Sequence, residues 1–295
     1  MAHPGGVTEL SFERYAFEPG QYAFLNVPEI STLQWHPFTI SSAPSDAHVT
    51  HHIRAMGSMS GDGPRSFTAQ LHALAASRSS PDDALTVRVD GPYGHPPAYA
   101  AYDDVLFVAG GIGVTPCHAS VRELYLRARE AAEDKGGGAE QVVPKGRAGG
   151  GYGSLDSTPS RVRLVWAVRE RQLASLFAGT LQMIAADDAR GRFSASLYLT
   201  RPETDVEATP GLASTLGLGK KRAPADGTEG LSFRVGRPDI AAELAALSEM
   251  RGLDGGERAT RRTLIFVCGP KELAAACDAA AMRAGVDFHA ETFEL

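Results

Sequence analysis

The chain has 295 residues, enough for two domains of ordinary size, each with its own core. Apolar residues make up 43% and charged residues 22%, which excludes both a disordered chain and a membrane bundle. A formal net charge of -6, with Lys and Arg scattered, excludes the basic stripe of a nucleic-acid surface.

Three cysteines, Cys117, Cys268 and Cys277, are too few and too scattered for a disulfide framework or a four-ligand zinc site, so a reducing compartment is expected. The opening MAHPGG carries no charged-then-apolar leader, and nowhere do about 18 apolar residues run together. No membrane span is expected in this chain.

Residues 20 to 90 hold short strand-like runs bounded by Pro, Gly and Ser: GQYAFLNV, HPFTISS, HVTHHIRAM and ALTVRVDG. They predict a small antiparallel barrel or sandwich within residues 1–98. From about Tyr99 the period changes: DDVLFVAGG reads as a buried strand and TPCHASVRELYLRAREAAED as a helix, with Thr115 as N-cap and Pro116 at the first helical position.

Further strands are predicted at RVRLVWAV, RFSASLYLT, LSFRV and TLIFVCGP, with helices at ERQLASLFAGTLQMIAA and PDIAAELAALSEM. Alternating strands and helices predict a doubly wound α/β domain with a five-stranded parallel sheet over residues 99–295. Residues 133–160 and 203–230, rich in Gly, Pro, Ser and charge, read as disordered surface insertions.

VAGGIGVTP joins a buried strand to a helix, where free N–H groups and the helix dipole favour a phosphate and glycine permits close approach. Gly110, Gly111 and Gly113 thus become nucleotide candidates, with a structural tight turn as the competing reading. Cys268, Gly269 and Pro270 end the last strong strand in the same way. Arg169 and Arg237 follow two other strands; a guanidinium pair grips a phosphomonoester, which favours NADPH over NADH. His48, His51 and His52 offer no third ligand on one strand face, so no metal site is expected.

In order, PGQYAFLNV, WHPFTISSAP, VDGPYGHP, VAGGIGVTP, VWAVRE, GRPD, VCGP and ETFEL resemble the ferredoxin-NADP-reductase-like half of the ferric reductase and NADPH oxidase family. The resemblance implies an FAD-binding barrel followed by an NADPH-binding α/β domain, with electrons passing from NADPH to FAD and then singly to haem. The haem-bearing transmembrane domain, absent here, would be the partner in cis or in trans, and would set this soluble part on the cytosolic face of a membrane.

By the same match His36 stands near the FAD phosphates, with Pro37 beside it; Phe38 packs on the flavin, Thr39 lies at its reacting edge, and Ser41 and Ser42 line it. Ile53, Arg54 and Gly57 match the next FAD motif. Its helix-opening Trp-Thr pair is respelled, either as Phe67 and Thr68 or as Met59 and Ser60. Phe293 matches the terminal aromatic that covers the flavin, with Cys268 beside the nicotinamide.

Tyr93 and His95, with VWAVRE and ETFEL, resemble ferric-chelate reductases more than oxidases, so a ferric-chelate reductase is favoured and a superoxide-generating NADPH oxidase is the alternative. A flavin-binding regulatory module without turnover would explain the respelled pair. A free-standing reductase would need VTELSFER as the first barrel strand.

Overall fold

The computed structural model describes residues 1–57, 66–78, 84–136, 158–186, 191–201, 228, 230–250 and 261–292. Its first part holds two three-stranded antiparallel sheets. One pairs β1 (Ala2–His3), β2 (Val7–Phe12) and β5 (Val49–Arg54); the other sets β3 (Tyr22–Asn26) between β4 (His36–Thr39) and β6 (Arg88–Tyr93). VTELSF therefore supplies a strand, paired with β5 through Val7↔Arg54 to Phe12↔Val49.

Alternation along β2, β3 and β5 turns Leu10, Ala23, Leu25 and Ile53 into one core, closed by Phe67 and Leu71 of α1 (Phe67–Ser77). Each Leu or Ile of this core contributes about 1.5–3 kcal/mol when buried.

The second part is a parallel sheet in the order β10-β9-β8-β7-β11-β12, from β7 (Asp104–Gly110), β8 (Arg161–Val168), β9 (Phe193–Leu199), β10 (Phe233–Val235), β11 (Thr263–Cys268) and β12 (Asp287–Glu291). Six strands replace the expected five. The sixth, DFHAE, is a polar edge strand pairing with β11 from Leu264↔Asp287 to Cys268↔Glu291. Its polar and apolar residues alternate and are only partly buried, so no apolar run marks it in the sequence. Left-handed Gly285 (φ +66) ends α6 (Lys271–Ala284) and turns the chain into it.

Cores lie on both sheet faces. One is covered by α2 (Val114–Gly136) and α4 (Ala178–Ala186), the other by α5 (Ile240–Glu249) and α6. Two boundaries differ from expectation. α2 starts at Val114 after a one-turn 3-10 segment, Gly111–Gly113, so Thr115 is no cap; its hydroxyl donates back to Ile112 O at 3.2 Å. Pro116 still fits, because first-turn N–H groups have no helical partner. ERQLASLFAGTLQMIAA breaks into α3 (Arg171–Ser175) and α4, and Phe177 sits at the break. Of the two expected insertions, α2 extends into the first, to Gly136; residues 137–157 and 202–227 lie outside the described residues.

Candidate active site

β7 pairs with β8, the next strand in sequence, on one side, and with β11 on the other. The chain order reverses between β7 and β11, and the crevice beyond their carboxyl ends is where such sheets take ligands. Gly110 and Cys268-Gly269 meet there. A Cβ on Gly113 would lie 2.5 Å from Cys268 O, and one on Gly269 would lie 2.9 Å from Gly110 N. Gly111 is different: its φ is +57 and nothing lies within 4 Å of a Cβ there. Three of these glycines therefore serve packing, and Gly111 leaves an open cradle at the start of α2. Trp166 Nε1 donates to Gly111 O at 2.9 Å and fixes that turn.

Cys268 is buried, and burial, with Glu291 opposite, pushes its thiol up to about 12, so it stays protonated. Pro270 precedes α6 as its N-cap residue. Phe293 lies outside the described residues.

Arg169 and Arg237 are exposed just beyond β8 and β10. Between them runs β9, and Arg201, also exposed, stands two residues past its end. Neighbouring strands lie about 4.8 Å apart, so these three arginines follow three adjacent strands along the carboxyl edge of the sheet. Sequence reasoning missed Arg201; LYLTR places it at a strand end as plainly as the other two.

On the flavin side the His36 ring stacks on Phe67 at 4.2 Å, and Phe38 lies 6.2 Å from Phe67 at 21°. These three rings form a shelf beside the start of α1. Burial lowers the His36 pKa, so the ring is neutral rather than a fixed cation near neutrality. Thr39 pairs with Tyr22 at the end of β4, and Pro37 with Phe24.

Phe67 and Thr68 open α1: Ser66 Oγ accepts from Ala69 N at 3.2 Å, and Thr68 Oγ1 accepts from Met56 N at 2.9 Å. Met59 and Ser60, the other reading of that pair, lie outside the described residues. Gly57 has φ +82, and Arg54 ends β5. Ile53 turns its side chain into the barrel core.

Ser41 and Ser42 are buried, with hydroxyls already engaged. Ser41 Oγ lies 2.7 Å from His52 Nδ1 and 2.9 Å from Thr50 O, while Ser42 Oγ accepts from Thr50 N at 3.0 Å. They hold β5 against the end of the flavin segment, a bracing part beyond the lining expected of them. The three histidines diverge: His48 is exposed, His51 points into the barrel with its ring edge-on to Phe12, and His52 faces Ser41.

The first part thus offers an aromatic shelf beside a helix start and the second a glycine turn at a sheet switch point, arrangements of the kind that hold a flavin and a dinucleotide. Residues 4–97 match the model of an FAD-binding domain and residues 102–281 that of the ferric reductase NAD-binding domain. The chain belongs to the ferric reductase NAD-binding domain family.

Among curated relatives, respiratory burst oxidase homolog protein F of Arabidopsis thaliana is 27% identical over 99% of this chain and 33% of its own length. NADPH oxidase 3 of Homo sapiens is 38% identical over 44% of this chain and 23% of its own. The chain spans about a third of the length of the first of these relatives. In fold it is similar to a ferredoxin NADP+ reductase from Neisseria gonorrhoeae with bound FAD and NADP (TM-score 0.58, 15% identity, 98% of this chain and 93% of that one). A second likeness is to the FAD/NAD-binding domain of nitric oxide dioxygenase from Vibrio cholerae (TM-score 0.55, 15% identity, 99% and 94%). Among the described residues no helix is long and apolar enough to cross a membrane.

Proposed function

We propose that residues 1–98 hold FAD and residues 99–295 hold NADPH, and that this chain is the dehydrogenase module of a larger electron-transfer protein, delivering electrons to a haem-bearing membrane domain at its cytosolic face. The open turn at Gly111, between β7 and α2, carries the reading: it is a place where backbone can approach a pyrophosphate without a side chain intervening. When bound, FAD accepts two electrons as hydride from the nicotinamide and releases them one at a time.

The residues have simpler tasks. Gly110, Gly111 and Gly113, with Thr115 and Pro116 in the first turn of α2, shape the pyrophosphate site. Arg169, Arg201 and Arg237 would hold a 2′-phosphate. His36, Arg54, Gly57 and Thr68 serve the FAD phosphates; Phe38 backs the flavin ring, Thr39 faces its reacting edge, and Cys268 to Pro270 shape the nicotinamide pocket. Phe293 would cover the flavin until nicotinamide arrives. No acid–base pair is required, because geometry is what the protein contributes.

Ferric chelate is our proposed terminal acceptor, on the likeness of VDGPYGHP around Tyr93 and His95. Dioxygen is the second reading, favoured by the oxidase names among the relatives. Both use the same module. The test is anaerobic: protein loaded with FAD and mixed with NADPH should lose its yellow flavin absorbance, and a flavin that stays oxidised overturns the reading in favour of a regulatory module.

A further inference from the structure

We infer that His118 is a positioning residue that sets the separation of the flavin and nicotinamide sites, by locking the end of the flavin segment to the helix that starts at the dinucleotide cradle. The inference rests on the reductase reading above.

Ser41 lies two residues beyond Thr39, and His118 lies five beyond Gly113, inside the first turns of α2. His118 Nδ1 is 2.7 Å from Ser41 O. A carbonyl only accepts, so Nδ1 carries the proton and donates. Nε2, 2.8 Å from Thr180 Oγ1, is then the acceptor of a neutral ring. Arg122 Nη1 donates to the same Thr180 oxygen at 3.2 Å, which leaves the hydroxyl proton for Nε2. One imidazole thus joins β4's extension, α2 and α4, with every polar atom matched.

The surroundings make the joint stiff. His118 and His52 both pack on Phe177, at 4.6 and 4.7 Å between centroids, and Phe177 packs edge-on to Trp166, whose indole holds Gly111 O. Ser41 is gripped twice, its carbonyl by His118 and its hydroxyl by His52. A continuous line of contacts therefore runs from the dinucleotide turn to the flavin segment. A second tie lies beside it: Arg122 on α2 pairs with Asp46 at 2.7 Å, and Glu123 accepts from Ser45 N at 3.1 Å.

Burial holds His118 down at about 4, with Arg122 and His52 acting in the same sense and the Ser41 carbonyl and Asp46 opposing. The neutral ring the geometry requires is the one present near neutrality. Hydride transfer is the step most sensitive to such a joint, since displacing reactants by about 1 Å can cost on the order of 100-fold in rate.

Two measurements decide it. In histidine-labelled protein, nitrogen NMR should show His118 neutral and protonated at Nδ1; a ring protonated at Nε2 overturns the inference. In stopped flow, His118→Phe keeps the ring on Phe177 but neither hydrogen bond. Its limiting rate of flavin bleaching should fall roughly 10- to 100-fold, with FAD content and the half-saturating NADPH concentration little changed and a larger deuterium isotope effect from C4-labelled NADPH. Thr180→Val, which spares the Nδ1 bond to Ser41 while removing the Nε2 bond and the Arg122 bond to the same oxygen, should lose less and serves where His118→Phe fails to fold. A parent that does not bleach overturns the reductase reading and this inference with it. A parent that bleaches beside variants equally fast overturns the inference alone.

Discussion

Gly110 and Gly269 meet in backbone contact across the switch-point crevice: a Cβ on Gly269 would come within 3.0 Å of Gly110 Cα, and one on Gly110 within 2.5 Å of Pro270 Cδ. The ends of β7 and β11 are thereby drawn together under the proposed nucleotide. Gly113 is held as tightly, against the Cys268 carbonyl, which cannot rotate away.

Gly113 and Gly111 should therefore fail differently when changed to alanine. Gly113→Ala overpacks a backbone contact and should lower unfolding stability by about 1–3 kcal/mol in urea titrations. Gly111→Ala meets no neighbour, so its left-handed backbone costs only about 1–2 kcal/mol, while its methyl would stand in the proposed path of the pyrophosphate. Its signature should be an NADPH affinity at least tenfold weaker in a folded protein, measured by fluorescence titration.

The three strand-end arginines make a prediction about cofactor choice. Arg201→Ala and Arg237→Ala should each cut the preference for NADPH over NADH by roughly tenfold or more, the worth of one charge-assisted hydrogen bond to a phosphate. The loss should appear in KM for NADPH with NADH nearly unaffected. Equal losses with both cofactors would mean that these side chains do not meet the 2′-phosphate.

Two buried histidines predict an acid-sensitive fold. Burial lowers both His51 and His118 to about 4 from an ordinary 6.5. Between those values the unfolded chain binds protons that the folded chain refuses, so stability is full above about pH 6.5 and declines as pH falls toward 4. Each ring should account for roughly 2 kcal/mol between about pH 7.5 and pH 5 in urea unfolding. His51→Phe should flatten that slope by about one histidine's share, because an apolar ring can keep the edge-on packing against Phe12 and takes up no proton in either state.

Much of this site was legible because its motifs are backbone devices with fixed spelling. GGIG after a buried run and CGP after another name the two strand ends that meet, and their meeting follows from the strand order of a doubly wound sheet. Phe67 and Thr68 are one of two readings of the helix-opening pair; a helix does start there, capped by Ser66, while Met59 and Ser60 lie outside the described residues. β12 was missed because an edge strand with polar residues lacks the apolar run that betrays its buried neighbours. Arg201 was missed for lack of a partner motif. The joint through His118 was beyond reach, since it depends on Ser41, Phe177 and Thr180 arriving from three elements, one of which exists only because a predicted helix breaks at Phe177.

At the opposite edge of the same sheet, the start of β7 carries a charge that should matter to the fold alone. Asp104 is buried at 2% exposure and takes Arg161 at 2.6 Å through Nε, while Arg261 reaches it at 3.1 Å. Burial by itself would raise its pKa, but the bonds from Arg161 and Arg261 hold it below the ordinary carboxylate value. Arg161 also donates to Ser248 O, tying the end of α5 to the strand edge. Removing the carboxylate leaves the Arg161 guanidinium buried with only main-chain acceptors, an arrangement that costs about 3–5 kcal/mol. Asp104→Ala should lower the urea midpoint accordingly with the slope unchanged. Because the crevice lies a full strand length away, the variant that remains folded should bind NADPH and bleach its flavin at the parental rate. A slowed flavin with normal stability would instead place Asp104 in a path to the crevice that the contacts around it do not provide.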